Sequence, residues 1–151
     1  MIIEPGDLDE PRIVALLRTH LERAHAVTPK QSCHAFDVSG LKSPAVSFWA
    51  GWENGELACI GALRRLSPEH AEVKSMHTPE ALRGRGYGAA MLRHLIATAR
   101  ARGYRRLSLE TGAMDYFRPA RDLYARHGFT ACGPFADYKV DSNSVYMTLA
   151  L

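Results

Sequence analysis

The chain opens on three apolar residues and Glu4, residues 1–4, which predict a short strand ended by Pro5-Gly6. Ile13, Leu16, Leu17, His20 and Leu21 then recur at helical spacing. Asp7, Asp9 and Pro11 are helix-start residues, and Thr28-Pro29 stops the helical region. Residues 30–44 show little period and read as a loop or a short helix. From residue 46 the pattern changes. Residues 46–52 and 57–66 are β-rich and are joined by Glu53-Asn54-Gly55-Glu56, whose Asn-Gly step is a hairpin cue. After a turn at Ser67-Pro68-Glu69, residues 71–76 alternate. Val73 and Ser75 fall on one face, and Glu72, Lys74 and Met76 on the other. The first half therefore predicts an antiparallel meander.

In the second half, Leu92, Leu95, Ile96 and Ala99 make a buried helical stripe, and Gly103 fits the helix end. Residues 106–111 predict a strand, entered through a helical crossover and so parallel to the one before. Asp115 and Pro119 mark the start of a further helix, with Phe117, Ala120, Tyr124 and His127 on one face. Gly128 closes it, Phe129 opens a strand, and residues 145–151 supply the last one. The order predicts an α/β fold of the α+β kind. Its mixed sheet is mostly antiparallel, with one parallel βαβ crossover and flanking helices. A length of 151 residues suits one domain, residues 1–151, and neither a repeat nor a linker interrupts it.

Composition narrows the class. An apolar share of 46% is that of a globular protein. A net charge of +3 is too mild to argue for nucleic acid. Three widely spaced cysteines, Cys33, Cys59 and Cys132, give no disulfide framework and no zinc pattern, which points to a reducing cytoplasm and no metal site. The N-terminus lacks the basic start and apolar run of a secretion signal, and no segment approaches a membrane span.

The stretch between residues 77 and 92 carries the chemistry. Gly84, Gly86 and Gly88 let the backbone approach a ligand, and the following helix points free N–H groups back at the loop. Arg83 and Arg85 add positive charge. This is an anion site for phosphate or pyrophosphate. Gly84-Arg85-Gly86-Tyr87-Gly88-Ala89 also fits the dinucleotide pattern G-x-G-x-x-A, with Glu110 about twenty residues on. Two features oppose that reading. Residues 78–83 separate the glycines from their strand, and the chain supplies one βα unit where a doubly wound sheet needs several. A Walker loop fails because no Lys-Ser or Lys-Thr follows.

Arg83-x-x-Gly86-x-Gly88 resembles the Arg/Gln-x-x-Gly-x-Gly/Ala motif of the GCN5-related N-acetyltransferases, the GNAT superfamily, and it lies as there between the fourth strand and the third helix. Ala120-x-x-Leu123-Tyr124-x-x-x-Gly128-Phe129 resembles a second motif of the same family, and the small stand-alone bacterial members are the most similar. The resemblance implies an acetyl-CoA-dependent N-acyltransferase working by direct transfer in a ternary complex. It implies that Arg83, Gly84, Arg85, Gly86, Tyr87 and Gly88 wrap the pyrophosphate of coenzyme A, and that Met76, His77 and Thr78 lie along the pantetheine arm. Tyr124 is then the general acid that protonates the leaving thiolate. Glu72 on the fourth strand is the first candidate for general base, with Glu110 the second. One departure stands out: Phe117 occupies a position where many members carry an asparagine.

The resemblance implies a small-molecule or peptide amine as acceptor, and His34, Asp37, Glu110 and Tyr138 are candidate contacts. Trp49, Trp52 or the last strand offer a surface for a homodimer. The competing reading is a non-catalytic acyl-CoA-binding domain that keeps the loop and performs no chemistry.

Overall fold

A computed structural model describes all 151 residues. Strands β1 (Ile2–Pro5), β2 (Val46–Glu53), β3 (Glu56–Ser67) and β4 (His70–His77) form the antiparallel meander. Strand β5 (Arg106–Gly112) adds parallel to β4, and β6 (Thr130–Cys132) and β7 (Ser144–Ala150) complete one sheet of order β1-β2-β3-β4-β5-β7-β6. The one parallel pair, β4 with β5, is bridged by helix α3 (Tyr87–Ala101), as the crossover predicted. Helices α1 (Pro11–Val27), α2 (Val38–Leu41) and α4 (Arg118–Arg126) complete the fold. None of them is long and apolar enough to cross a membrane.

Apolar periodicity decides which face each helix covers. Met91, Leu92, Leu95, Ile96 and Ala99 of α3 pack with Cys59, Leu63, Ala71, Val73, Leu107 and Leu109 on one face of the sheet. On the other face Ile13, Leu16 and Leu17 of α1 meet Phe48, Ala50, Ile60 and Ala62. The cap of α1 differs from the expectation. Asp7 shapes the preceding turn by accepting from Asp9 N–H, while Glu10 accepts from the N–H groups of Arg12 and Ile13 at 2.8 and 3.1 Å. The longer glutamate reaches the free amides where the aspartates cannot. Asp115 likewise sits in a single 3₁₀ turn, and α4 starts after Phe117 without a side-chain cap.

Strand β4 departs from simple alternation. Ala62 faces Lys74, but Ile60 faces His77, so β4 carries one extra residue there. Ser75 takes that bulge at a φ of 55°. The bulge turns Met76 away from the face of Glu72 and Lys74, contrary to the alternation expected, and onto the α3 side. There its sulfur lies 3.0 Å from where a Cβ of Gly61 would stand, and Met91 lies at 2.8 Å, so a side chain at that position would force both methionines to shift. The bulge has a second effect. Parallel pairing of β4 with β5 stops after Glu72 and Ser108. Beyond it the strands part, while β5 stays paired to β7 over its whole length. The gap between them is the mouth of the site.

Candidate active site

A cleft of about 440 Å³ opens where β4 and β5 separate. One end is the glycine loop. A 3₁₀ turn (Glu80–Leu82) leads into it, and Gly84 and Gly86 adopt φ of 77° and 85°. Gly86 in this left-handed conformation starts α3, whose ladder begins with Ala90 N–H donating to Gly86 O. None of the N–H groups from Gly84 to Ala89 has a backbone acceptor. Consecutive free amides at the positive end of a helix fit a pyrophosphate. Arg83 donates to Thr78 O at 3.2 Å and stands 5.9 Å from the Tyr116 ring. Met76, His77, Thr78, Arg83, Gly84, Gly86, Tyr87 and Gly88 all line the cleft. Arg85 does not; it is exposed on the outer side of the loop.

Across the cleft stand α4 and the end of β5. Phe117 lies so close over Gly112 that a Cβ there would meet its ring at 2.1 Å, and Arg121 ties α4 to β5 by donating to Gly112 O at 2.7 Å. Tyr124 lines the cleft and is otherwise buried against Phe129. Burial, and then the nearby Glu110 carboxylate, hold its phenol well above the ordinary tyrosine range, so it keeps its proton. Glu110 also lines the cleft, and burial raises its carboxyl to about 7.

Glu72 is placed differently. It is fully buried beneath Tyr138, whose hydroxyl donates to Glu72 Oε2 at 2.5 Å, and it does not line the cleft. Lys74 Nζ lies 3.6 Å from the same oxygen and donates to His34 O at 3.0 Å and to Tyr138 Oη at 3.1 Å. Tyr138 thus closes over Glu72 and stays outside the cleft lining, which Lys74 reaches. His34, stacked edge-on against Tyr138, does line the cleft.

Asp37 caps α2, accepting from Gly40 N–H at 2.8 Å, and is absent from the lining. Asp37→Ala is therefore expected to lower stability by about 1 kcal/mol. Thermal unfolding checks this, and acetyl-CoA affinity should stay unchanged.

The sequence did not reveal a histidine pair on the wall formed by α1. His20 Nδ1 and His77 Nδ1 lie 3.0 Å apart. Burial, with Lys74 adding, pushes His20 down to about 4, and burial, with His20 adding, pushes His77 down to about 3. Both rings are neutral at pH 7, one donating to the other. The only signal was their helical and strand positions; the bulge that turns His77 toward α1 has no mark in the sequence. Trp49 is buried between His94 and Arg102, and Trp52 lies under Arg12, so both are engaged within the chain.

A splayed parallel pair facing a glycine-led helix N-terminus makes a cleft that suits a long anionic ligand. The chain belongs to the acetyltransferase (GNAT) family, whose model matches residues 13–129, and it is an acyl-CoA-dependent enzyme of that family. It is 45% identical over 151 residues to the uncharacterized N-acetyltransferase YsnE of Bacillus subtilis, covering 100% of both chains. It is 42% identical to the uncharacterized N-acetyltransferase YedL of Escherichia coli over 99% of this chain and 94% of that one. A solved structure from Klebsiella pneumoniae superposes with a TM-score of 0.83 at 27% identity, over 99% of this chain and 97% of the other. A GNAT family acetyltransferase from Elizabethkingia anophelis, solved with acetyl-CoA bound, shares the fold with a TM-score of 0.72 at 18% identity, over 99% and 97%.

Proposed function

We propose that this protein transfers the acetyl group of acetyl-CoA directly to a primary amine in a ternary complex, with Glu110 as general base and Tyr124 as general acid. The observation that carries this reading is the cleft itself. It brings a run of free amides, an unpaired strand edge, a protonated phenol and a carboxylate titrating near 7 onto one cavity. Acetyl-CoA, when bound, supplies an activated thioester. The N–H groups of residues 84–89 and the side chain of Arg83 hold its pyrophosphate. The β4 edge beyond Glu72, unpaired on the β5 side, bonds the pantetheine arm as a further strand would.

Glu110 accepts the proton that an alkylammonium of pKa about 10.4 must lose before its nitrogen can attack the acetyl carbon. Tyr124 gives its proton to the sulfur as the carbon–sulfur bond breaks. The sequence points first to Glu72 as the base, but its enclosure under Tyr138 favours Glu110, which has access to the cleft. Three free cysteines suit a cytoplasmic setting.

The test is thiol release from acetyl-CoA over a broad panel of amines. The reading fails if acetyl-CoA binds and no amine gives turnover. Arg83→Ala is expected to weaken acetyl-CoA binding about tenfold, the loss of one charge-assisted contact, with little change in kcat at saturation. Calorimetric titration checks it, and an unchanged affinity removes Arg83 from the phosphate site.

A further inference from the structure

The charges on the cleft do not balance. Lys74, Arg83 and Arg126 line it, against a single carboxylate, Glu110. Arg83 serves the phosphate loop. Lys74 stands within β4, anchored to the His34 carbonyl. Its one ion-pair partner is Glu72 at 3.6 Å, and that carboxylate is shared with Arg64 at 3.8 Å. Two cations thus share one buried anion, and Glu72 Oε1 makes no hydrogen bond at all. Phe36 lies against both cations, 4.2 Å from Lys74 Nζ and 5.4 Å from Arg64 Cζ; Arg64 still reaches solvent, but Lys74, 8% exposed, has little water to screen it. Glu110 does not restore the balance, because in the reaction it must take up a proton.

The remaining acceptor wall is small and uncharged: Ala24, Thr28, Ser32, Cys33 and Ala35. It offers no second carboxylate to hold a second ammonium. A polyamine or an aminoglycoside would bring several positive charges to a wall that already has a surplus. An acceptor with its own carboxylate would complete the pairing that Glu72 leaves short. Resting on the acetyltransferase reading, we infer that the acceptor is an amine that also bears a carboxylate, of the amino-acid type, and that Lys74 selects for it.

The experiment uses the full chain and matched pairs that differ only in the carboxylate: phenylalanine with 2-phenylethylamine, and lysine with cadaverine. Spermidine is included as the polycation. The acids should show at least roughly tenfold higher kcat/KM than their partners, and spermidine should be poor. Equal or better use of the decarboxylated amines, or a preference for spermidine, overturns the inference.

Calorimetric binding of the same pairs to the CoA-loaded protein gives a reading that needs no turnover. If acetyl-CoA binds and no amine releases thiol, the acetyltransferase reading fails. The carboxylate inference then stands only if the acids still bind more tightly than their partners. Two variants locate the effect. Lys74→Met should bring the ratio toward one, and Glu72→Gln should raise it by removing the counter-charge. Acetyl-CoA affinity reports whether each variant is folded. Ratios that move in the same direction overturn the assignment to Lys74.

Discussion

Replacing Glu110 with Gln is expected to lower kcat/KM by roughly two to four orders of magnitude, the usual worth of a positioned base. The wild-type profile should rise with pH through about 7, where burial places this carboxyl, because only the ionised form accepts a proton. In Glu110→Gln that limb should disappear. The groups that face this carboxyl are Lys74 and Glu72 from β4, Ser144 and Tyr146 from β7, Asp141 from the preceding loop, and Tyr124 and Tyr138. None of the others is a carboxylate lining the cleft.

Stability should move the opposite way. The folded pKa of Glu110 is raised, so between about 4.5 and about 7 the folded state binds more protons than the unfolded chain. Wild-type stability therefore falls as pH rises across that window, and the full cost is present above it. Glu110→Gln removes the cost, so at pH 8 the variant should gain on the order of 2–3 kcal/mol over wild type, and almost nothing at pH 4. Chemical denaturation at the two pH values measures both. A variant that keeps its activity and its pH limb would assign the proton to another group.

Tyr124→Phe is expected to lower kcat by roughly a hundredfold or more, while acetyl-CoA affinity stays within about twofold of wild type. The reasoning is local. The phenol is held protonated by burial and lines the cleft, and the ring packs on Phe129. Phenylalanine keeps that packing and removes only the oxygen. Pre-steady-state thiol release separates the chemical step from product release. Unchanged turnover would leave Tyr124 as a packing residue alone.

The sequence made most of the architecture legible because its signals are short-range. Alternation at residues 71–76, the Asn54-Gly55 turn and the stripe from Met91 to Ala99 each depend on neighbours in the chain, and the structure has those elements in that order. The helix-opening glycine loop was legible for the same reason, since Gly86 at φ 85° and the free amides after it follow from local backbone chemistry.

What the sequence could not carry was long-range. The Ser75 bulge exists only in the pairing of β3 with β4, and it alone decides that Met76 and Glu72 face opposite ways. Whether Glu72 or Glu110 reaches the cleft depends on Tyr138, more than sixty residues from Glu72, closing over one of them. Asp37, a pocket candidate in the sequence, caps α2 by accepting from Gly40 N–H and does not line the cleft. By itself, then, the sequence determined the order of the elements, the glycine loop that opens α3 and the helical position of Tyr124. The tertiary structure alone decided which carboxylate meets the cleft and how its charges balance, because burial and pairing are properties of strands brought together across the sheet.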